Sequence, residues 1–153
     1  MADTSLSEKK IGLLVWKLSN FWQSRLRKIL KKHEITLNEY LILESIIIIK
    51  NEHDELSQIQ ISLFSGIDIS VASVTFKILE KKKLLTRKTK VDQRKKIIEI
   101  LPKGVNLYNL INPLIIEEEN KIFNKLQNES NNFANSLKFL LGKSLRIKAT
   151  KII

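Results

Sequence analysis

The sequence predicts a mainly α-helical fold with one small β-wing, and three observations carry that expectation. Only 4 Gly and 2 Pro occur in 153 residues, so few positions interrupt a helix. Long apolar series at helical spacing occupy both ends of the chain. Between them, Ser70–Leu101 reads as a helix, a basic junction, a strand, a charged turn and a second strand. Within residues 81–103 there are ten Lys or Arg against Asp92 and Glu99, which is most of the chain's net charge of +11.

The totals bound the class of protein. A hydrophobic content of 43% with 28% charged residues fits a folded globular chain and excludes a disordered one. The absence of cysteine excludes disulfides, cysteine-ligated zinc and thiol-based sensing. The run Ile11–Trp16 is broken by Lys17, and the four isoleucines at 46–49 fall far short of the roughly 18 apolar residues of a spanning helix. A cytoplasmic protein with no membrane partner is expected. The positive charge calls for an acidic partner, and its concentration on one motif favours nucleic acid.

Taken in order, residues 7–32 place Leu14, Val15, Leu18, Phe21, Trp22, Leu26, Ile29 and Leu30 on one helical stripe. Thr36 and Glu39 form a capping-box pattern opening a helix from Leu37 to about Lys50. Residues 51–55 read as a polar loop. Ser57 is the expected cap of a short third helix that ends at Gly66, and Ser70 the expected cap of a fourth, so the pair forms a helix-turn-helix. At 100° per residue, Val71, Val74, Thr75, Ile78 and Leu79 are expected to face inward. Ala72, Ser73, Phe76, Lys77 and Glu80 would then face out. Leu84–Thr89 and Ile97–Leu101 are strand candidates. Pro102 suits the first turn of a helix over about 103–127, in which Pro113 should produce a kink. A last helix is expected over roughly 130–147. The two terminal helical regions carry more apolar surface than the small central unit can cover, so a second copy of the chain is the simplest partner for them.

The signatures LEKKKLLTR at 79–87, Asp92-Gln93-Arg94, and Ile100-Leu101-Pro102-Lys103-Gly104 follow one another in order. Their order and spacing resemble the multiple-antibiotic-resistance regulator (MarR) family over about residues 10–147. Lys83 stands where the family frequently has Gly, which predicts a strained residue or a different route at that turn. The resemblance implies a winged helix-turn-helix at about 36–101 and dimerisation helices at about 7–32 and 103–147, forming a single domain. It further implies a homodimer on pseudo-palindromic double-stranded DNA, with helix 70–82 in the major groove and wing 88–96 at the minor groove. It also implies that Arg94 enters the minor groove, oriented by Asp92.

The chemistry of these residues suits those roles. A guanidinium fits a narrow, electronegative minor groove, and a carboxylate two positions away can hold it by charge-assisted hydrogen bonds. Lys88, Lys90, Lys95 and Lys96 are candidates for phosphate contacts. Ser70, Ser73 and Lys77 are candidates from the helix, and Phe76 is a candidate for a thymine methyl or for core. Glu80 is expected to be structural, paired with Lys77 or Lys83. Trp16, Phe21, Trp22 and Tyr40 either pack as core or, as the resemblance would suggest, line a pocket for a small aromatic ligand. No catalytic motif, metal-ligand spacing or cofactor-binding loop is present. The expected function is therefore a DNA-binding regulator, a repressor and not an enzyme. The alternative is a winged-helix module that docks an acidic protein.

Overall fold

The computed structural model describes residues 10–90 and 95–142. Among the described residues, six α-helices and three short strands follow in the order α1 (Ile11–Lys31), α2 (Leu37–Ile49), β1 (Leu56–Ser57), α3 (Gln58–Ser65), α4 (Ile69–Lys81), β2 (Leu85–Thr89), β3 (Lys96–Ile100), α5 (Pro102–Phe123) and α6 (Ser130–Leu140). A 3-10 segment, Asn124–Glu129, lies between α5 and α6. The chain divides into two compact units, residues 1–116 and 117–153.

The first unit is built by local rules that the sequence states openly. Thr36 caps α2: its hydroxyl accepts the Glu39 amide at 3.2 Å, and Glu39 Oε2 accepts the Thr36 amide at 2.7 Å. Ser57 and Gln60 repeat the arrangement at α3. Gly66 ends α3 at φ 74°, a left-handed conformation that costs glycine nothing. The core gathers Leu26 and Leu30 of α1, Ile42, Leu43 and Ile46 of α2, Ile61 of α3, and Ala72, Phe76 and Leu79 of α4.

The sheet has three strands in the order β1-β3-β2, all antiparallel, where two strands were expected. Leu56 and Ser57 pair with Ile98 and Ile97, so the loop after α2 closes the ribbon onto the helices. In β3, Ile98 is buried while Glu99 is exposed, and Ile98 pairs with Arg87 and Glu99 with Thr86 of β2.

The exit of α4 is the most tightly specified turn of this unit. Lys83 adopts φ 60°; its amide donates to the Glu80 carbonyl and that of Leu84 to the Leu79 carbonyl, a complete Schellman closure. The expected strained residue is thus present. The Leu84 carbonyl then accepts the Leu101 amide at 2.9 Å. Gly104 in the first turn of α5 lies so close to this carbonyl that a β-carbon there would collide with backbone. Lys82 anchors the same turn from its side chain. Its ammonium donates to Glu39 Oε1 at 2.6 Å and to the Glu34 carbonyl at 2.8 Å, while Lys103 Nζ donates to the Lys82 carbonyl. Glu39 is 1% exposed. Burial alone would raise the pKa of its carboxyl, but the hydrogen bonds from Lys82 and Thr36 outweigh it and hold the pKa below its ordinary value.

α5 runs through Pro113 as one helix. In the second unit, Gln127 departs from helical geometry at φ 49°, ψ −120°, and α6 begins at Ser130, close to expectation. The Phe123 and Phe133 rings meet at 6.4 Å between centroids.

Two outcomes are expected. Glu39→Gln removes the charge opposite Lys82 and should cost about 1–3 kcal/mol at neutral pH, by the usual worth of a charged hydrogen bond. Because the folded pKa of Glu39 is depressed, its contribution is fully present above the ordinary carboxylate pKa and is lost as pH falls below it. Urea titrations across that acid range should show a shallower decline for Glu39→Gln than for the wild-type chain. Separately, Lys83→Gly should raise stability by about 0.5–1 kcal/mol, as relief of left-handed strain exceeds the added backbone entropy. An unchanged or lower melting temperature would contradict it.

Candidate nucleic-acid interface

α4 follows Gly66 after a turn of two residues, and its start is fixed by Asp68. The Asp68 carboxylate accepts the Ser70 amide at 2.9 Å and the Ser70 hydroxyl at 2.5 Å. Those hydrogen bonds from Ser70 hold the Asp68 carboxyl below its usual pKa range. Asp68, not Ser70, is therefore the cap, and Ser70 lies in the exposed first turn.

The expected division of α4 into faces is partly reversed. Ala72, Thr75, Phe76 and Leu79 are buried, whereas Val71, Val74 and Ile78 are 40–58% exposed. Phe76 is fully enclosed, so it is core and touches no base. The reversal has a steric cause. The small Ala72 and the flat Phe76 fit the space left by α2 and α3, and Thr75 satisfies its hydroxyl on the Val71 carbonyl at 2.9 Å. Facing outward are Ser70, Lys77 and Lys81, with Ser73 half-buried beside them. Lys81 was not singled out in the sequence, although its i+4 spacing from Lys77 places both on one side.

Glu80 pairs with neither Lys77 nor Lys83 but with Arg87 on β2, at 2.9 Å. The hydrogen bond from Arg87 draws the Glu80 carboxyl below its ordinary pKa. This pairing offsets the one carboxylate between Lys77 and Lys81 and joins the helix to the ribbon. On the ribbon, Lys88 is highly exposed and lies 3.9 Å from Glu99, and Lys90 pairs with Glu55 at 2.6 Å. Lys95 and Lys96 border a concavity with Ser57, Gln58 and Ile59 at the start of α3. Exposed pairs such as Lys90–Glu55 contribute little to stability and exchange partners readily. Arg94 and Asp92 lie outside the described residues.

The four aromatic candidates do not share one environment. Trp16 is 65% exposed on α1, Phe21 is exposed beneath the Arg25 guanidinium, and Trp22 packs partly against the core. Tyr40 is buried, stacked on Tyr108 at 5.8 Å, with its hydroxyl 3.0 Å from Asn112 Oδ1 and 3.3 Å from Glu44 Oε1. Burial, reinforced by Glu44, pushes the Tyr108 hydroxyl pKa upward. Polar groups thus converge on the Tyr40–Tyr108 pair, and Tyr108 is a member of this cluster that periodicity alone did not single out.

Among the described residues, no three His, Cys, Asp or Glu side chains are grouped to hold a metal ion. No single helix among them is long and apolar enough to cross a membrane. No family model matches the sequence. Solved structures do match the fold. A MarR-family transcriptional regulator from Silicibacter pomeroyi superposes with a TM-score of 0.72 at 18% identity, covering 99% of this chain and 100% of that one. MepR of Staphylococcus aureus, in a complex with DNA, gives 0.74 at 21% identity over 92% and 99% of the two chains. CouR from Rhodococcus jostii, bound to p-coumaroyl-CoA, gives 0.72 at 18% identity over 85% and 90%. Helix-turn-helix, three-stranded wing and flanking helices together have the winged-helix fold of the MarR-family transcription regulators.

Proposed function

We propose that this chain is a DNA-binding transcription regulator, a homodimeric repressor that occludes a pseudo-palindromic duplex site. The observation that carries the reading is the composition of one surface. α4 presents Ser70, Lys77 and Lys81 outward with Ser73 half-buried beside them, the carboxylates at its two ends are engaged by Ser70 (Asp68) and Arg87 (Glu80), and the ribbon beside it adds Lys88, Lys90 and Lys95. A short helix entering a major groove flanked by a basic ribbon is a known docking geometry. The MepR complex supports it, because a protein of the same fold is there bound to DNA. In this reading Ser70, Ser73 and Lys77 contact base edges or nearby phosphates. Lys88, Lys90 and Lys95 grip phosphates, and Arg94, held by Asp92, enters the minor groove.

The dimer belongs to the same proposal. α1 leaves Ile11, Leu14, Val15, Trp16 and Phe21 exposed, and α6 leaves Phe139 and Leu140 exposed. Exposed apolar surface of this extent marks an interface. A second copy supplies both the cover and the two-fold symmetry that an inverted repeat requires. Residues 36–101 form the DNA-binding part, and about 7–32 and 103–147 the dimerisation part. Of the four aromatic candidates, a small aromatic ligand is proposed to act at Tyr40, where polar groups converge, and not at Trp16 or Phe21, which stand on the face given to the second copy. It would release DNA by binding the non-competent arrangement more tightly. CouR with its p-coumaroyl-CoA supports a ligand-responsive mechanism. No catalytic role is proposed.

Selection from random duplex DNA should enrich an inverted repeat with half-sites about 10 base pairs apart. Binding should weaken steeply with salt, and Lys77→Ala or Lys95→Ala should each reduce the log–log slope by about 0.9 for every phosphate left without its cation. Arg94→Ala should weaken binding while leaving the dimer intact. A complex indifferent to salt, or no duplex binding at low salt, would favour docking of an acidic protein instead. Sedimentation should give a dimer for the wild-type chain and a monomer for Leu14→Asp with Trp16→Asp. A wild-type monomer at micromolar concentration would remove the two-fold model.

A further inference from the structure

The outward surface of α4 has two edges of different chemistry. Ser70, Lys77 and Lys81 follow one another at i, i+7 and i+11, with Ser73 on their flank. Val71, Val74 and Ile78 follow at i, i+3 and i+7, within about 60° of arc. These three aliphatic side chains are 44%, 58% and 40% exposed. Branched aliphatics in the exposed part of a helix must be explained by what covers them. A protein partner fits poorly, since lysine is depleted at the centres of protein interfaces and Lys77 and Lys81 flank the aliphatic edge. Residues 69–79 contain no acidic side chain, and of the two carboxylates that bound them Asp68 is held by Ser70 and Glu80 by Arg87.

We infer that the Val71–Val74–Ile78 edge reads the 5-methyl groups of thymines in the major groove. The target would then be A·T-rich under α4. This inference rests on the DNA-binding reading above and specifies its sequence preference. Thymine is the base that offers an apolar group in that groove, and aliphatic contact with it is a recognised mode of direct readout. The spacing suits the task. Seven residues of helix rise about 10.5 Å, and base pairs along a duplex strand repeat at about 3.4 Å, so the edge spans about three base pairs. The lysine edge would lie against the adjacent phosphates and fix the register.

The test compares thymine with uracil, which differs only by that methyl. A duplex enriched from a random pool is resynthesised with deoxyuridine in place of every thymidine of the half-sites. Each methyl removed should weaken binding roughly fourfold, by the worth of one buried methyl-sized group. A site presenting three should weaken by more than about tenfold. Val74→Ser and Ile78→Ser, both at exposed positions, should bind the thymidine duplex less tightly and bring the thymidine-to-uridine ratio towards one. Thermal unfolding of both variants should match the wild type. Tight, salt-dependent binding with equal affinity for both duplexes would overturn the inference and leave the regulator reading intact. Failure to bind any duplex would overturn both. Assembly beyond a dimer that Val74→Ser abolishes, with no thymidine preference, would assign the edge to a protein contact and overturn the inference alone.

Discussion

A single buried carboxylate ties the helices of the first unit together. Glu39 closes the capping box of α2 with one oxygen and receives the Lys82 ammonium with the other. The start of α2 and the end of α4 are thereby fixed to each other, with the Glu34 carbonyl at the end of α1 drawn into the same knot. An ion pair buried on one side is not chosen for raw stability, because desolvation offsets much of its attraction. Its value here is positional. An apolar contact would tolerate sliding of α4, whereas a 2.6 Å ammonium–carboxylate bond with a second acceptor fixes its axial position.

The main-chain turns around α4 have the same effect. Asp68 fixes its first residue, Lys83 its last, and the Leu84 carbonyl is shared with the start of α5 at a point where only glycine fits. The left-handed strain at Lys83 is tolerated because two backbone hydrogen bonds and the Lys82 anchor surround it. Glu80 and Arg87 then orient the ribbon against the helix. The surface of α4 is thereby closed on every side.

Much of this is legible in the residues. The capping boxes at Thr36 and Ser57, the stop at Gly66, and the unusual Lys83 are local chemistry and can be read as such. The faces of α4 are harder, for a specific reason. Apolar residues surround most of that helix, so periodicity cannot choose a buried side, and the branched aliphatics look more core-like than Ala72 and Thr75. What decides is the shape of the space between α2 and α3, which no helix carries in its own sequence. The Glu80–Arg87 pair is hidden because it spans a turn, and β1 because two residues cannot show alternation. Asp68 escapes notice because two good capping residues stand two positions apart.

The ribbon brings its own counterions. Lys90 and Lys88 already face Glu55 and Glu99, so in the proposed complex a phosphate arriving there would displace a carboxylate. The cation condensed on that phosphate is still released, but the carboxylate left beside the new pair stays negative and offsets part of the lysine's attraction. Lysines paired in this way would therefore add less to affinity than their number suggests. The same carboxylates would lower the positive potential that the ribbon offers to any polyanion.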